Sequence, residues 1–400
     1  MTRLCRVLAV GTGSWLLLSA VALAQSSADL IRAIPALGDF DYAVRTEASR
    51  TFRRADAATA VPALIDAANR HEDSYVQFRA AVLLYGFGGI QTKAFFRAAL
   101  DSPNDRIRAV AYDYAEHAPD PRLVPKLLTA LDRETSEFVR PALVRALAAH
   151  DDDTVVRARL LHAVDQGEGY FRGGVIEALG DYVAVYAVEP LVRIASERGP
   201  LRDDALLALG KIGDKRALAV VSAAQAEAAG SESESGDDAA LLPIVSATAC
   251  LLDTDCPNQI RYVVDALTYG ATTDGGDQAL LRGAATAAAA LAMAGREGAI
   301  DALNALFDVG IGAADPGRRA PIALALGTVA LRTPERVRAV LMLRDDLDAS
   351  LLLLRDAFDM LDEDMPEERF FVLMRGSYWN ESETPQARAV AEAVMQVLEF

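Results

Sequence analysis

Apolar residues recur along this chain at helical spacing, in a short phrase that returns every three dozen residues or so. From about residue 40 onward the phrase has the form R-x-x-A-x-x-x-L, followed by an apolar stretch such as V-P-x-L-(I/L). Its copies begin at Arg45, Arg79, Arg108, Arg140, Arg172 and Arg202, and after an interruption at Arg282 and Arg319. Self-similarity at this period is typical of a solenoid, in which each helix pair buries its apolar face only against its neighbours. The pattern therefore predicts an all-α fold, an α-solenoid of about ten antiparallel helix pairs, with an elongated arc free for contact.

The apolar content favours closely packed helices over sheet. Hydrophobic residues make up 52% of the chain but aromatic residues only 6%, so most of the apolar side chains are those of Ala, Leu and Val. Gly180, Gly210 and Gly327 each follow a leucine late in an apolar run. Because a left-handed residue commonly ends a helix and glycine adopts that conformation at least cost, we expect these glycines to be helix C-caps.

The clearest repeats are FRGGVIEALGD at 171–181 and LRDDALLALGKIGD at 201–214. They resemble HEAT repeats, in particular the short HEAT-like variety of the phycobilisome lyases, and the resemblance covers nearly all of the chain after residue 24. It implies that the first helix of each pair begins with an arginine, and that the second helices line a concave binding face.

The organisation along the chain follows from these repeats and from two segments that lack them. Residues 1–24 have the features of a signal peptide: Arg3 and Arg6 precede an apolar core, and Ala22-Leu23-Ala24 is a cleavage motif. An uncleaved anchor is the alternative. Residues 25–226 are predicted to be regular repeats, 227–240 an acidic disordered loop, and 241–400 looser repeats ending in a capping helix.

Charge narrows the choice of partner. The formal net charge is −17, and removal of the signal peptide, which carries two arginines and no acid, lowers it further. Such a surface repels a phosphate backbone, so the sequence predicts no nucleic-acid binding and favours a protein or peptide partner. The signal peptide places the protein in the periplasm or the medium, with no stable membrane insertion after cleavage.

Sequence motifs of common catalytic, nucleotide-binding and metal-binding sites are missing from the sequence. It contains no G-x-S-x-G, H-E-x-x-H or G-x-G-x-x-G motif and no pair of cysteines at metal-ligand spacing. We therefore expect no enzyme activity, no cofactor and no metal site. Cys250 and Cys256 are the only cysteines after the signal peptide, and a turn between them would allow a disulfide. A buried thiol at Cys250 is the alternative.

One ladder of positions is a candidate binding surface. On the resemblance, the residue after the inward-facing pair of each second helix points into the concave groove. These residues are mostly polar and of mixed charge, which favours a folded protein or a peptide as ligand, although a solvated helix face would have the same composition. They are Asp66, Arg97, Thr129, His162, Arg193, Ser222, Asp265, Asn304, Met342 and Arg375.

The function that follows is a non-enzymatic binding scaffold of the bacterial cell envelope. Two alternatives stay open: attachment or detachment of a bilin, which the lyase resemblance implies, and a clamp-like inhibitor or chaperone that uses the acidic segment 227–240. The aromatic cluster of Phe370, Phe371, Tyr378 and Trp379 is expected to pack the terminal cap, and any exposed member becomes a candidate partner anchor.

The signal-peptide prediction has a direct test. Intact-mass spectrometry of the protein from the periplasm or medium of an expressing bacterium should give a chain that begins at Gln25. A chain in the membrane fraction that retains residues 1–24 would contradict cleavage.

Overall fold

The computed structural model describes residues 27–230, 236–272, 277–361, 367–380 and 382–398. The predicted signal peptide, 1–24, lies outside these residues. The described residues form 22 α-helices and three short 3-10 turns, with no strand among them. The predicted all-α solenoid is therefore confirmed.

The helices form ten antiparallel pairs between two single helices, α1 (Ser27–Ala36) and α22 (Pro385–Val397). The first helices of the pairs are α2 (Tyr42–Arg53), α4 (Ser74–Tyr85), α6 (Asp105–His117), α8 (Arg140–Ala148), α10 (Gly169–Asp181), α12 (Arg202–Ile212), α14 (Gly236–Leu251), α16 (Gln278–Ala294), α18 (Pro316–Arg332) and α20 (Leu347–Leu361). The second helices are α3 (Ala57–Arg70), α5 (Ile90–Ala99), α7 (Val124–Arg133), α9 (Thr154–Asp165), α11 (Val188–Ser196), α13 (Leu218–Gly230), α15 (Cys256–Thr272), α17 (Ala299–Gly312), α19 (Pro334–Leu341) and α21 (Glu367–Trp379).

The repeating arginines hold successive helices together. The Arg108 Nη1 donates to the Ser102 carbonyl at 2.8 Å, and the Arg172 Nε to the Val164 carbonyl at 2.7 Å. The Arg202 Nε donates to the Ala195 carbonyl in the same way. Each acceptor lies in the last turn of the preceding second helix or just after it, where main-chain carbonyls lack helical partners. At these three repeats the motif arginine is therefore a cap for the previous repeat.

The glycines at the ends of the apolar runs are not helix caps, and that prediction was wrong. Gly180, Gly210 and Gly327 lie inside α10, α12 and α18. A Cβ on Gly180 would lie 2.8 Å from the Ala208 Cα, and one on Gly210 would lie 3.1 Å from the Thr248 Cα. These glycines let neighbouring first helices approach closely, a role that a leucine-glycine pattern does not distinguish from capping.

The residue that ends α12 is Gly213, whose φ of 77° is left-handed. Val183 takes the same position after α10, with a φ of 54°. There the Ala184 N–H donates to the Leu179 carbonyl at 2.9 Å, as in a Schellman cap. A β-branched residue is strained in this conformation, so the left-handed backbone costs more free energy at Val183 than at Gly213.

The two layers of the solenoid differ in spacing. Successive first helices pack extensively on one another from α10 to α20, whereas successive second helices touch less. In a curved array the closely spaced layer is the concave one, so the first helices form the inner layer and the second helices the outer layer. The expectation that second helices line the concave face was wrong. Small residues in the first helices let neighbouring first helices pack closer together than neighbouring second helices do.

The array curves until its two ends meet, so it is not the open arc that was expected. The Arg53 Nε of α2 donates to the Glu368 Oε1 of α21 at 2.9 Å, and the Arg53 guanidinium lies 4.1 Å from the Phe371 ring centroid. Arg375 donates to the Arg53 carbonyl at 3.0 Å and to the Gly86 carbonyl at 2.6 Å. We call these residues the end contact.

Two helices extend into the predicted acidic loop, 227–240, from its two sides. α13 continues to Gly230 and α14 begins at Gly236, which leaves 231–235 outside the described residues. The alanines on both sides favour helix strongly enough to extend it into the acidic stretch. Glu227 also forms ion pairs with Arg198 at 2.5 Å and Arg202 at 2.7 Å, so its charge is already engaged.

Replacing Val183 tests the backbone strain after α10. Val183→Gly relieves the left-handed strain, whereas Val183→Ala removes most of the side chain and keeps the strained residue type. We expect Val183→Gly to exceed Val183→Ala in free energy of unfolding by about 1 kcal/mol, measured by urea denaturation. Equal stabilities, or a more stable alanine variant, would contradict the strain.

Candidate functional site

A groove of about 650 Å³ opens on the inner layer between the two halves of the array. Its walls come entirely from first helices: α10 and α12 on one side, and α16, α18 and α20 on the other. Leu324 and Met360 lie in it with 46% and 43% of their surface exposed, which is high for large apolar side chains of an inner layer. We call this the inner groove.

Charged side chains of both signs lie along the apolar floor of the inner groove. Glu177 and Asp204 provide carboxylates, and Lys211 and Arg282 provide cations. Burial raises the pKa of Asp204, and the neighbouring charges of Glu177 and Asp203 raise it further. The groove can therefore contact apolar, basic and acidic groups of a ligand, which is the mixture that a polypeptide offers.

A buried chain of ion pairs runs beside the inner groove from α6 to α12. Arg145 contacts Glu116 at 2.9 Å and Asp181 at 2.8 Å, and Lys211 contacts Asp181 at 2.7 Å. Burial alone would raise the pKa of Asp181, but Lys211, Arg145 and Arg332 hold it at about 2. The hydroxyl of Tyr182 donates to the Glu116 carboxylate at 3.1 Å. These pairs fix the first helices in register.

One further ion pair crosses the inner layer. The Arg332 Nη2 of α18 lies 3.2 Å from the Glu177 Oε1 of α10, although 155 residues separate them in sequence. This pair joins the two halves at the rim of the inner groove. Sequence reasoning missed it, because nothing in a local repeat indicates which distant repeat it faces.

The residues predicted as a binding ladder lie on second helices, away from the inner groove. Most are exposed on the outer layer: Asp66, Arg97, Thr129, His162, Arg193, Ser222 and Asp265. Several make only neighbouring contacts, such as Arg97 with Asp120 at 2.8 Å and Arg193 with Asp165 at 2.6 Å.

The remaining ladder positions are partly buried. Asn304 lies 3.4 Å from an Arg344 Nη, Met342 follows α19, and Arg375 belongs to the end contact. Seven of the ten ladder positions are thus exposed and three are partly buried. A role for these residues in binding a partner stays a prediction.

The aromatic cluster near the C-terminal end divides into two parts. Phe370 and Phe371 are buried, as expected for packing of the cap, whereas Trp379 is 66% exposed. Tyr378 is partly buried, and its ring lies 5.0 Å from the Trp379 ring in an edge-to-face arrangement. Trp379 is therefore the exposed member of the cluster.

Cys250 and Cys256 form a disulfide. α14 ends at Leu251 and α15 begins at Cys256, so the bridge closes the turn between them. Both residues are buried, at 3% and 6% exposure. The bridge therefore fixes a first helix to its second helix and lies away from the inner groove lining.

One group of side chains on α6 has the donor atoms of a metal site. The ligand atoms of Asp113, Glu116 and His117 all lie within 4.8 Å of one another. Within the part of the chain that the structure describes, no helix has both the length and the apolar character needed to cross a membrane.

Comparison with known proteins identifies the repeats of the N-terminal part. A family model described as HEAT repeats matches residues 32–116 and 93–180. The match lies within the part of the chain that the sequence analysis found to resemble HEAT repeats. The search of curated proteins gives no match.

Three solved structures align with this chain at low identity. The complex of CpcE and CpcF of phycocyanin lyase from Nostoc sp. PCC7120 is 19% identical, with 66% of this chain and 98% of that chain covered and a TM-score of 0.36. Importin beta is 12% identical, with 93% and 52% covered and a TM-score of 0.42. Kap121p bound to Ste12p is 12% identical, with 93% and 45% covered and a TM-score of 0.43. Values this low carry no functional conclusion.

The ion-pair chain predicts a specific dependence of stability on pH. Because the folded pKa of Asp181 is about 2, below the usual value of a free aspartate, its contribution is present above about pH 4 and is lost as the pH falls toward 2. Asp181→Asn leaves Arg145 and Lys211 without this carboxylate and should lower the free energy of unfolding by about 3 kcal/mol at pH 7.

Urea denaturation between pH 7 and pH 2 measures both effects. The gap between the wild type and Asp181→Asn should narrow below pH 4, while Asp152→Asn, at an exposed turn, should match the wild type throughout. A gap that does not change with pH would show that the Asp181 charge contributes nothing.

Proposed function

We propose that this protein is a non-enzymatic scaffold of the bacterial cell envelope that holds a protein or peptide segment in the inner groove. The observation that carries the proposal is the pair of exposed apolar residues, Leu324 and Met360, between carboxylates and cations of the groove walls. A solvated helix face has no reason to keep apolar side chains of this size together. The negative net charge favours a polypeptide over a nucleic acid.

The location in the cell envelope rests on the sequence of residues 1–24. A buried disulfide between Cys250 and Cys256 is in keeping with an oxidising compartment. The clamp-like inhibitor is less favoured than the scaffold, because Glu227 of the acidic segment is paired with Arg198 and Arg202 of its own chain. The scaffold therefore remains the function that the described residues support best.

Site-specific photo-cross-linking in the native bacterium tests the scaffold. A photoreactive amino acid at Leu324 should give a discrete adduct with a protein, because that side chain lies exposed in the inner groove. The matched control is Ile300, which is 62% exposed on the second helix α17 and should give none. Immunoblotting and mass spectrometry of the adducts provide the measurement.

The same experiment separates the inner groove from the outer ladder. A third probe at Arg193 reports on the outer layer. Adducts at Arg193 alone would replace the inner groove by the ladder as binding surface. No adduct at either Leu324 or Arg193 would contradict a scaffold that uses these faces.

A further inference from the structure

Asp113, Glu116 and His117 form a compact cluster on the last two turns of α6, outside the inner groove lining. Residues three and four positions apart lie on one face of a helix, which brings the three side chains together. The His117 Nδ1 lies 3.7 Å from the Asp113 Oδ2, and the His117 Nε2 lies 4.0 Å from the Glu116 Oε1. A single ion between them could contact all three after small side-chain rotations.

Asp113 supplies an acceptor atom that is buried and not satisfied. The residue is 8% exposed, and its Oδ2 accepts no hydrogen bond from the described residues. The Tyr85 hydroxyl and the charged Arg369 also lie near this carboxylate. A buried carboxylate oxygen without a donor is costly unless a cation or a proton donor occupies its open side.

His117 presents the nitrogen that a metal requires. Its Nδ1 lies 2.9 Å from the Asp113 main-chain carbonyl, which can only accept, so the Nδ1 carries the proton. In the neutral imidazole the Nε2 then holds the free lone pair. The side chain is 26% exposed, which gives an ion a route from solvent to the two buried carboxylates.

Glu116 is held in place by groups that do not compete for all of its lone pairs. The Arg145 Nε donates to its two oxygens at 3.0 and 3.2 Å, the Arg145 Nη2 lies 2.9 Å from Oε1, and Tyr182 donates to Oε1, which leaves Oε2 with an open lone pair. The single positive charge of Arg145 is shared between the Glu116 and Asp181 carboxylates, so it does not fully neutralise Glu116. Hydrogen-bonded partners of this kind commonly orient a ligating carboxylate.

We propose that Asp113, Glu116 and His117 bind one divalent first-row transition ion of the Zn²⁺ class. One imidazole and two carboxylates are a ligand set that such ions accept, and three protein ligands leave a position for water or for a group of a bound partner. The site lies among polar residues of the first helices. It does not depend on the proposed scaffold function.

Zinc titration of the mature chain, 25–400, tests the site after treatment with a chelator. Competition with a chromophoric chelator should show one tightly bound Zn²⁺ ion per chain, the tight equivalent, in the wild type. His117→Ala should weaken that equivalent by more than about 100-fold, since a ligand contributes more than the outer partners whose loss costs 10- to 100-fold. The matched control, His162→Ala, removes an exposed histidine of the outer layer and should leave it unchanged.

Two further measurements keep the result unambiguous. Asp113→Asn should also lose the tight equivalent, and Zn²⁺ should raise the Tm of the wild type but not that of either site variant. Co²⁺ should give visible absorption bands that disappear in His117→Ala. Absence of a tight equivalent in the wild type, or one that both site variants retain, would overturn the proposal.

Discussion

The close approach of neighbouring first helices is the constraint on which the rest of this structure depends. A Cβ on Gly283 would lie 2.4 Å from the Ala240 carbonyl oxygen, and the neighbours of Gly180 and Gly210 are almost as near. Any side chain at these points would force the helices apart, because a packed interior does not absorb added volume without strain. Neighbouring first helices can therefore pack this closely only because these positions carry no side chain.

Contraction of one layer determines the shape of the whole array. Since each repeat contacts chiefly its neighbours, a small rotation per repeat accumulates along ten pairs until α21 reaches α2 and α4. The end contact and the pair of Arg332 with Glu177 then close the ring from two directions. Close packing of neighbouring first helices also buries and pairs charges, as along Glu116, Arg145 and Asp181.

The repeats were predictable from the sequence because each one is a local pattern. The spacing of arginines and leucines predicts the helix pairs and their number, and the turn predicted between Cys250 and Cys256 allows a disulfide there. The curvature was not predictable in this way, since glycine after leucine indicates a cap as readily as a close contact. The concave face was assigned to the second helices on the family resemblance alone, and Leu324 and Met360 were therefore not recognised as groove residues. For the α6 cluster the signal was present, as an aspartate three and four positions before Glu116 and His117, but scattered histidines gave no reason to select it.

Cross-linking of the two ends measures the closure directly. A Cβ at residue 86 would lie 3.7 Å from the Val372 Cγ2, so cysteines at both positions should form a disulfide within the chain. Residues 25–400 with Gly86→Cys and Val372→Cys should give a nearly complete 86–372 bridge under mild oxidation, seen by mass spectrometry of the linked peptides, and neither single variant should give one. Failure of the double variant to form the bridge would mean that the ends do not meet and that the first helices do not curve the array as described.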